Sequence, residues 1–146
     1  MTRSKRMQPV ADVAVRRERE AAARLGECQQ REQACVQRLE ELQRYRDEYT
    51  RRFADGGSLS AARLCDYRTF LERLNQAIEQ QGDLLARARR DCEAQRRRWL
   101  DLHGRAEALG KVVSRYRGEE RAGQERREQQ ELDQRTQSTR RPDGET

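Results

Sequence analysis

The chain has 146 residues, of which 40% are charged and 34% are hydrophobic, and its mean hydropathy is −1.28. This composition excludes a globular domain with a large apolar core, and with it the enclosed pocket that most enzymes require. It allows a narrow apolar seam between helices, which needs only about two apolar residues in seven, or a disordered chain. Nearly all of the positive charge behind the net +6 is arginine, since Lys5 and Lys111 are the only lysines.

Helix-breaking residues are rare along the chain. Pro9 and Pro142 are the only prolines, and the double glycine Gly56-Gly57 is the strongest interruption between them. Ser58 or Ser60 is expected to cap the helix that follows. The predicted divisions are a flexible N-terminus, a helical hairpin with its turn, and a charged tail that is mobile or partly helical: residues 1–9, 10–117 with the turn at 55–59, and 118–146.

Apolar residues recur in alternating steps of three and four after the double glycine. The series runs from Leu64 to Tyr116, and only Gln81 and Gln95 interrupt it. Such a seven-residue repeat is typical of a coiled-coil helix that faces a partner along its length. The segment before the double glycine has a weaker version, whose charged members are Glu18, Glu32 and Arg46. The predicted fold class is therefore all-α: two long helices in an antiparallel coiled-coil hairpin with a mobile C-terminal tail.

The short connection between the helices predicts which residues face each other. In the register that fits this connection the polar members of the two repeats coincide, with Glu32 facing Gln81 and Glu18 facing Gln95. The apolar and remaining polar members then pair as Cys28 with Leu85, Leu42 with Leu71, Ala14 with Trp99, and Arg46 with Tyr67. We expect a monomer, although a domain-swapped dimer would keep the same pairs.

In this register the second helix extends beyond the first. Its apolar stripe continues through Ala106, Leu109, Val113 and Tyr116, where only Met7 could cover it. An uncovered stripe indicates either a partner site or a frayed helix end.

A second apolar line is expected near the turn. Tyr45, Phe70, Ala77 and Leu84 all occupy heptad position g, on one side of the hairpin, and the register puts Tyr45 beside Phe70. Just beneath them lie Leu42, Tyr49 and Leu74. This face is either a docking site for a partner or a wider part of the seam, and the two tyrosines and the phenylalanine favour docking.

Residues that could carry chemistry are few and scattered. His103 is expected on a charged helix surface, and Trp99 is interpreted as a core anchor. The four cysteines have neither zinc-ligand spacing nor a CxxC pair, and they suit a reducing compartment. We expect no enzyme activity, no catalytic residue, no cofactor and no metal. The start of the chain has no apolar run long enough for a signal peptide, and no segment is expected to span a membrane.

Arginines are densest at residues 87–98, RARRDCEAQRRR. Asp91 and Glu93 lie among them, so a solvated helix face is the simplest interpretation. The alternative is a basic coiled coil that binds nucleic acid or an acidic membrane surface through Arg87–Arg98, with steep salt dependence.

Several short runs resemble the flagellar FliJ family over roughly residues 10–102. They are AARLGE at 22–27, YRDEY at 45–49, the stretch from Ser60 through Phe70 to AIEQ at 77–80, and Trp99. The resemblance implies a cytoplasmic, stalk-like coiled coil of the flagellar type III protein export apparatus, which serves bacterial motility and chemotaxis. It would lie peripherally at the inner face of the cell membrane. The equivalent stalk of a virulence-type secretion system shares the same physics.

The resemblance also implies partners. These are the hexameric export ATPase, the cytosolic domain of the membrane export gate, and export chaperones, with no specific nucleic acid. The residues implied at the gate are Leu42, Tyr45, Tyr49, Phe70, Leu74 and Ala77. The terminal end of the hairpin would enter the ATPase ring, and its expected contact residues are Trp99, Leu102, Ala106, Leu109, Val113 and Tyr116.

Overall fold

The computed structural model describes residues 1–57 and 60–140, and nearly all of them lie in two α-helices. Helix α1 spans Arg3–Asp55 and helix α2 spans Ala61–Arg140. The described residues contain no strand. The helices pack antiparallel, and this confirms the predicted all-α hairpin.

The connection between the helices uses both features that mark it in the sequence. Gly57 has a φ of 71°, in the left-handed region that a glycine adopts at little cost after the end of a helix. The Ser60 hydroxyl accepts a hydrogen bond from the backbone N–H of Arg63 at 3.3 Å, and thereby caps α2. Ser58, the other candidate cap, and Leu59 lie outside the described residues, as does that part of the predicted turn.

Both helices extend beyond the predicted hairpin of residues 10–117. Helix α1 begins at Arg3, inside the segment for which we expected flexibility, and it continues through Pro9. Proline removes one backbone donor and strains the preceding turn, so contacts with α2 must offset that cost. Helix α2 includes residues 118–140 of the charged tail, for which the sequence left a mobile or a partly helical state open. Residues 141–146 lie outside the described part of the chain.

The buried seam consists mainly of small side chains. Its members with relative exposure below 9% are Ala11, Ala21, Cys28, Leu74, Leu85, Cys92, Ala106 and Val113. Small residues let the two helices approach closely but bury little apolar surface each.

Contacts divide the chain into two compact units. Unit 1 combines Met1–Glu18 with Asp101–Thr146, and unit 2 is Arg19–Leu100. Each unit pairs a segment of α1 with a segment of α2.

The pairing in unit 2 differs from the predicted register by one heptad. Tyr67 was expected opposite Arg46 but stacks on Phe53, with ring centroids 3.6 Å apart. Cys28 was expected opposite Leu85, but its side chain instead lies next to Cys92. In both pairs the displacement is seven residues. A heptad repeat presents the same apolar spacing after each such shift, so apolar matching alone does not select the register.

The polar layers that supported the predicted register do not coincide. A carboxylate oxygen of Glu32 lies 3.5 Å from the guanidinium of Arg89, and the side-chain amide of Gln81 donates to the backbone carbonyl of Cys35 at 3.4 Å. The prediction that Glu32 faces Gln81 is therefore wrong. A long arginine and the helix backbone supply partners that a count of opposed seam positions leaves out.

Candidate partner-binding surfaces

Five aromatic rings lie together on the side of unit 2 next to the turn, and we name them the tip cluster: Tyr45, Tyr49, Phe53, Tyr67 and Phe70. The rings of Tyr45 and Phe70 meet edge to face at 6.0 Å, and Tyr49 lies 4.4 Å from Phe70 and 5.4 Å from Tyr67. Aromatic pairs at such separations stabilise beyond their buried area. The predicted contact between Tyr45 and Phe70 is present.

The tip cluster contributes both to the seam between the helices and to the exposed surface of unit 2. Tyr45 is 49% exposed, whereas Leu74 is buried at 7%. Leu42, Tyr49, Phe70 and Ala77 are half-buried. Of the six residues expected at the gate, Leu74 therefore holds the helices together and Tyr45 offers the largest open face. Phe53 and Tyr67, whose rings stack on each other, were not among those six.

The apolar stripe at the terminal end is covered, contrary to expectation. Ala106 and Val113 are buried at 7% and 4% exposure, and Leu102, Leu109 and Tyr116 are half-buried. Two differences from the prediction account for this. Helix α1 begins at Arg3, and its start pairs further along α2 than expected, since Ser4 bonds to Glu120. Trp99, which belongs to unit 2, is half-buried.

A different apolar surface is open in unit 1. A groove of about 290 Å³, the terminal groove, is lined by Val10, Val13, Ala14, Arg17, Leu102, Arg105 and Leu109. Val10 is 49% exposed and Val13 is 37% exposed. The sequence could have indicated this groove, because Val10 and Val13 are apolar residues outside positions a and d of the first repeat.

Polar contacts tie the start of α1 to α2. The carboxylate of Glu120 accepts hydrogen bonds from the Ser4 hydroxyl at 2.7 Å and from the Ser4 backbone N–H at 3.0 Å. These two bonds hold the pKa of Glu120 below its usual value. The Arg3 guanidinium lies 5.8 Å from the centroid of the Tyr116 ring. Together these contacts help to offset the cost of Pro9.

His103 links the two helices, whereas the sequence predicted only a place on a charged helix surface. Its Nδ1 lies 2.7 Å from a carboxylate oxygen of Glu18 on α1, and its Nε2 lies 3.3 Å from Glu107 on its own helix. The hydrogen bond with Glu18 is the main cause of a raised His103 pKa, and the negative charge of Glu107 adds to it.

Cys92 is a buried thiol of the seam. Desolvation and the neighbouring Glu32 raise the pKa of Cys92 to about 11, so its thiol stays protonated and unreactive at neutral pH. Within residues 1–57 and 60–140, no cluster of three or more His, Cys, Asp or Glu side chains is placed to hold a metal ion.

The arginine-rich segment at 87–98 is partly neutralised. Arg89 pairs with Glu32 across the helices, and Arg97 lies 3.3 Å from Glu93 one turn earlier. Both contacts fit the interpretation of a solvated helix face.

Comparisons with known proteins place the chain in a family. Neither the curated proteins nor the solved structures give a match. In the described ranges, neither helix contains a stretch apolar and long enough to cross a bilayer. The sequence model described as "Flagellar FliJ protein" matches residues 3–141, nearly the whole chain. The chain therefore belongs to the flagellar FliJ family, whose members are stalk-like, non-enzymatic components related to flagellar protein export.

Proposed function

We propose that this protein is a cytoplasmic stalk of the flagellar type III export apparatus that connects the export ATPase to the export gate. It binds the hexameric ATPase and promotes its assembly and activity. It also contacts the cytosolic domain of the gate and handles export chaperones, and through these partners it is held at the inner face of the cell membrane. The family match over residues 3–141 is the observation that carries the proposal.

The terminal groove supports contact with the ATPase. Exposed Val10 and Val13 offer apolar surface, and Arg17 and Arg105 place a positive charge on each helix beside it. An apolar centre with charged neighbours is the usual composition of a specific interface. Among the residues expected to contact the ATPase, Leu102 and Leu109 line this groove, whereas the buried Ala106 and Val113 support it from within.

The tip cluster supports contact with the gate. Large aromatic side chains that are partly exposed and already held in place by other rings are typical of interface anchors. Tyr45 and Phe70 fit this description, since they touch each other and Tyr45 is about half exposed.

ATPase stimulation tests the first contact. Purified export ATPase should hydrolyse ATP faster with the intact protein, and Val10→Asp combined with Val13→Asp should abolish that gain. Leu132→Asp is a matched control, because Leu132 is 56% exposed in unit 1 and lies outside the terminal groove. Absence of stimulation by the wild type, or full stimulation by a chain lacking residues 99–146, would refute the proposal.

Gate binding tests the second contact. Tyr45→Ala with Phe70→Ala should remove binding to the purified cytosolic domain of the gate, measured by calorimetry. Far-ultraviolet circular dichroism should show unchanged helix content in that variant. Gate binding by the double variant at wild-type affinity would remove the tip cluster from the proposal.

A further inference from the structure

Unit 2 contains a groove of its own, to which the proposed function assigns no partner. This hairpin groove has a volume of about 420 Å³ and receives side chains from both helices. Small residues from both helices line it, with Ala34 and Cys35 from α1 and Ala88 from α2. Leu84 lines it as well and is 49% exposed. An open groove lined by small residues and a half-exposed leucine has room for apolar side chains from another molecule.

The dimensions suit one further helix. The lining residues extend from Cys28 to Cys35 on α1 and from Leu84 to Asp91 on α2. Seven residues correspond to roughly 10 Å of helix, or about two turns. An occupying helix would therefore place two or three apolar side chains, spaced three or four residues apart, into the groove.

Charge specifies the flanks of that helix. Arg31 and Arg87, one from each helix, line the groove and are exposed. Neither forms an ion pair with any carboxylate of the described residues. Asp91 is the acidic residue of the lining, so the groove keeps a positive excess.

A second copy of this chain does not match that charge. A two-fold arrangement would bring the same surface of both copies together, and that surface has a positive excess in each copy. Like charges at an interface oppose association, whereas acidic residues at both flanks would be attracted.

We propose that the hairpin groove binds an amphipathic helix of a protein partner, with an apolar face that enters the groove and acidic residues along both flanks. This docking site is separate from the tip cluster and from the terminal groove. A negative result for this site would therefore leave the proposed function unaffected, and the converse also holds.

Binding of two matched synthetic peptides to the intact protein tests the proposal. Both are amphipathic helices of about three heptads with the same Leu and Ala face, and they carry Glu or Lys at the flanking positions. Fluorescence anisotropy should show the Glu peptide binding at least about tenfold more tightly than the Lys peptide. The Glu peptide should also protect Cys35, but not the exposed Cys65, from alkylation.

Two sets of variants locate the site. Leu84→Asp should weaken the Glu peptide at least about tenfold, whereas Leu100→Asp should not, because Leu100 is similarly exposed at 53% but lies outside the groove. Arg31→Glu with Arg87→Glu should reverse the preference in favour of the Lys peptide. This charge swap keeps the test decisive if Leu84→Asp does not fold. As a further control, Tyr45→Ala with Phe70→Ala should leave peptide binding unchanged.

Three outcomes would overturn the proposal. They are equal affinity for the two peptides, the same loss from Leu100→Asp as from Leu84→Asp, and self-association in sedimentation that Leu84→Asp abolishes. The last result would identify a second copy of the chain as the occupant.

Discussion

Gln95 carries a buried side-chain oxygen that lacks a hydrogen-bond partner among the described residues. A buried acceptor left without a partner costs about 1–3 kcal/mol of stability. Gln95→Leu keeps the size of the side chain and removes that acceptor. We expect the free energy of unfolding to rise by about 1 kcal/mol, measured by urea denaturation followed at 222 nm.

Gln81 is the matched control, because it is the other glutamine in the α2 repeat. Its amide donates to the backbone carbonyl of Cys35, so Gln81→Leu removes a satisfied contact. The leucine should bring no comparable gain there. Equal stabilisation at both positions would show that added apolar surface, and not the unpaired oxygen, controls the result.

His103 makes the stability of unit 1 depend on pH. Its pKa is raised from the ordinary value of 6.5, mainly by the hydrogen bond with Glu18. A raised pKa in the folded state means that the stabilisation is complete below about pH 6.5 and is lost as pH rises through the folded-state value. We expect the wild type to melt above His103→Gln at low pH, with the difference shrinking as pH increases.

Melting temperatures of both proteins between about pH 5.5 and pH 8.5 provide the measurement. Glu18→Gln should flatten the dependence, because it removes the charge that stabilises the imidazolium. A gap between wild type and His103→Gln that grows with pH would contradict the assignment.

Single contacts across the hairpin could be predicted from the sequence only where several registers agree. Tyr45 and Phe70 are long enough to meet despite the shift, and their contact was expected. The link between Glu18 and His103 was not, because a local sequence pattern does not reveal residues 85 positions apart without the correct register.

At the scale of helices, the register determines which residues of α1 and α2 lie side by side, and a disulfide crosslink can report it. The structure brings Cys28 beside Cys92, whereas the sequence pattern placed Cys28 opposite Leu85. A disulfide forms readily only when the two Cα atoms lie within about 7 Å of each other. With Cys35 and Cys65 replaced by serine, mild oxidation should therefore join Cys28 to Cys92 within one chain.

Gel mobility under non-reducing conditions and mass spectrometry report the crosslink. A comparison protein carries Leu85→Cys with Cys92→Ser in the same background and should form little intramolecular disulfide. The high pKa of Cys92 slows thiolate formation, so both proteins are best oxidised at the same alkaline pH. The reverse result would restore the predicted pairing.

The two helices, the glycine turn and the Ser60 cap could be predicted because each depends on residues close together in sequence. The register could not, since apolar side chains recur identically after every heptad. The start of α1 at Arg3 also escaped prediction. It depends on Glu120 of the other helix, which accepts two hydrogen bonds from Ser4 and offsets the presence of Pro9.

At the scale of the whole molecule, the two units differ in how the chain forms them. Unit 2, Arg19–Leu100, is continuous and contains the turn, so its helices meet by closing a short loop. Unit 1 is assembled from the two ends of the chain. Much of its seam is small, with Ala11 and Ala106 among its buried residues. Isolated ends would have to meet by diffusion with little apolar surface to bury.

This difference predicts unequal behaviour of fragments. A fragment of residues 19–100 should be helical and melt cooperatively by circular dichroism, and under the proposed function it should bind the gate without stimulating the ATPase. An equimolar mixture of residues 1–18 and 101–146 should show no more helix than the separate peptides at micromolar concentration, because association costs at least about 4 kcal/mol of translational and rotational freedom. An unfolded 19–100 fragment, or helix formation on mixing the two end fragments, would contradict the inference that unit 1 needs unit 2 in order to assemble. In the intact chain unit 2 brings the two ends together, and variants that destabilise it, such as Phe53→Ala, should therefore reduce ATPase stimulation although they lie outside the terminal groove.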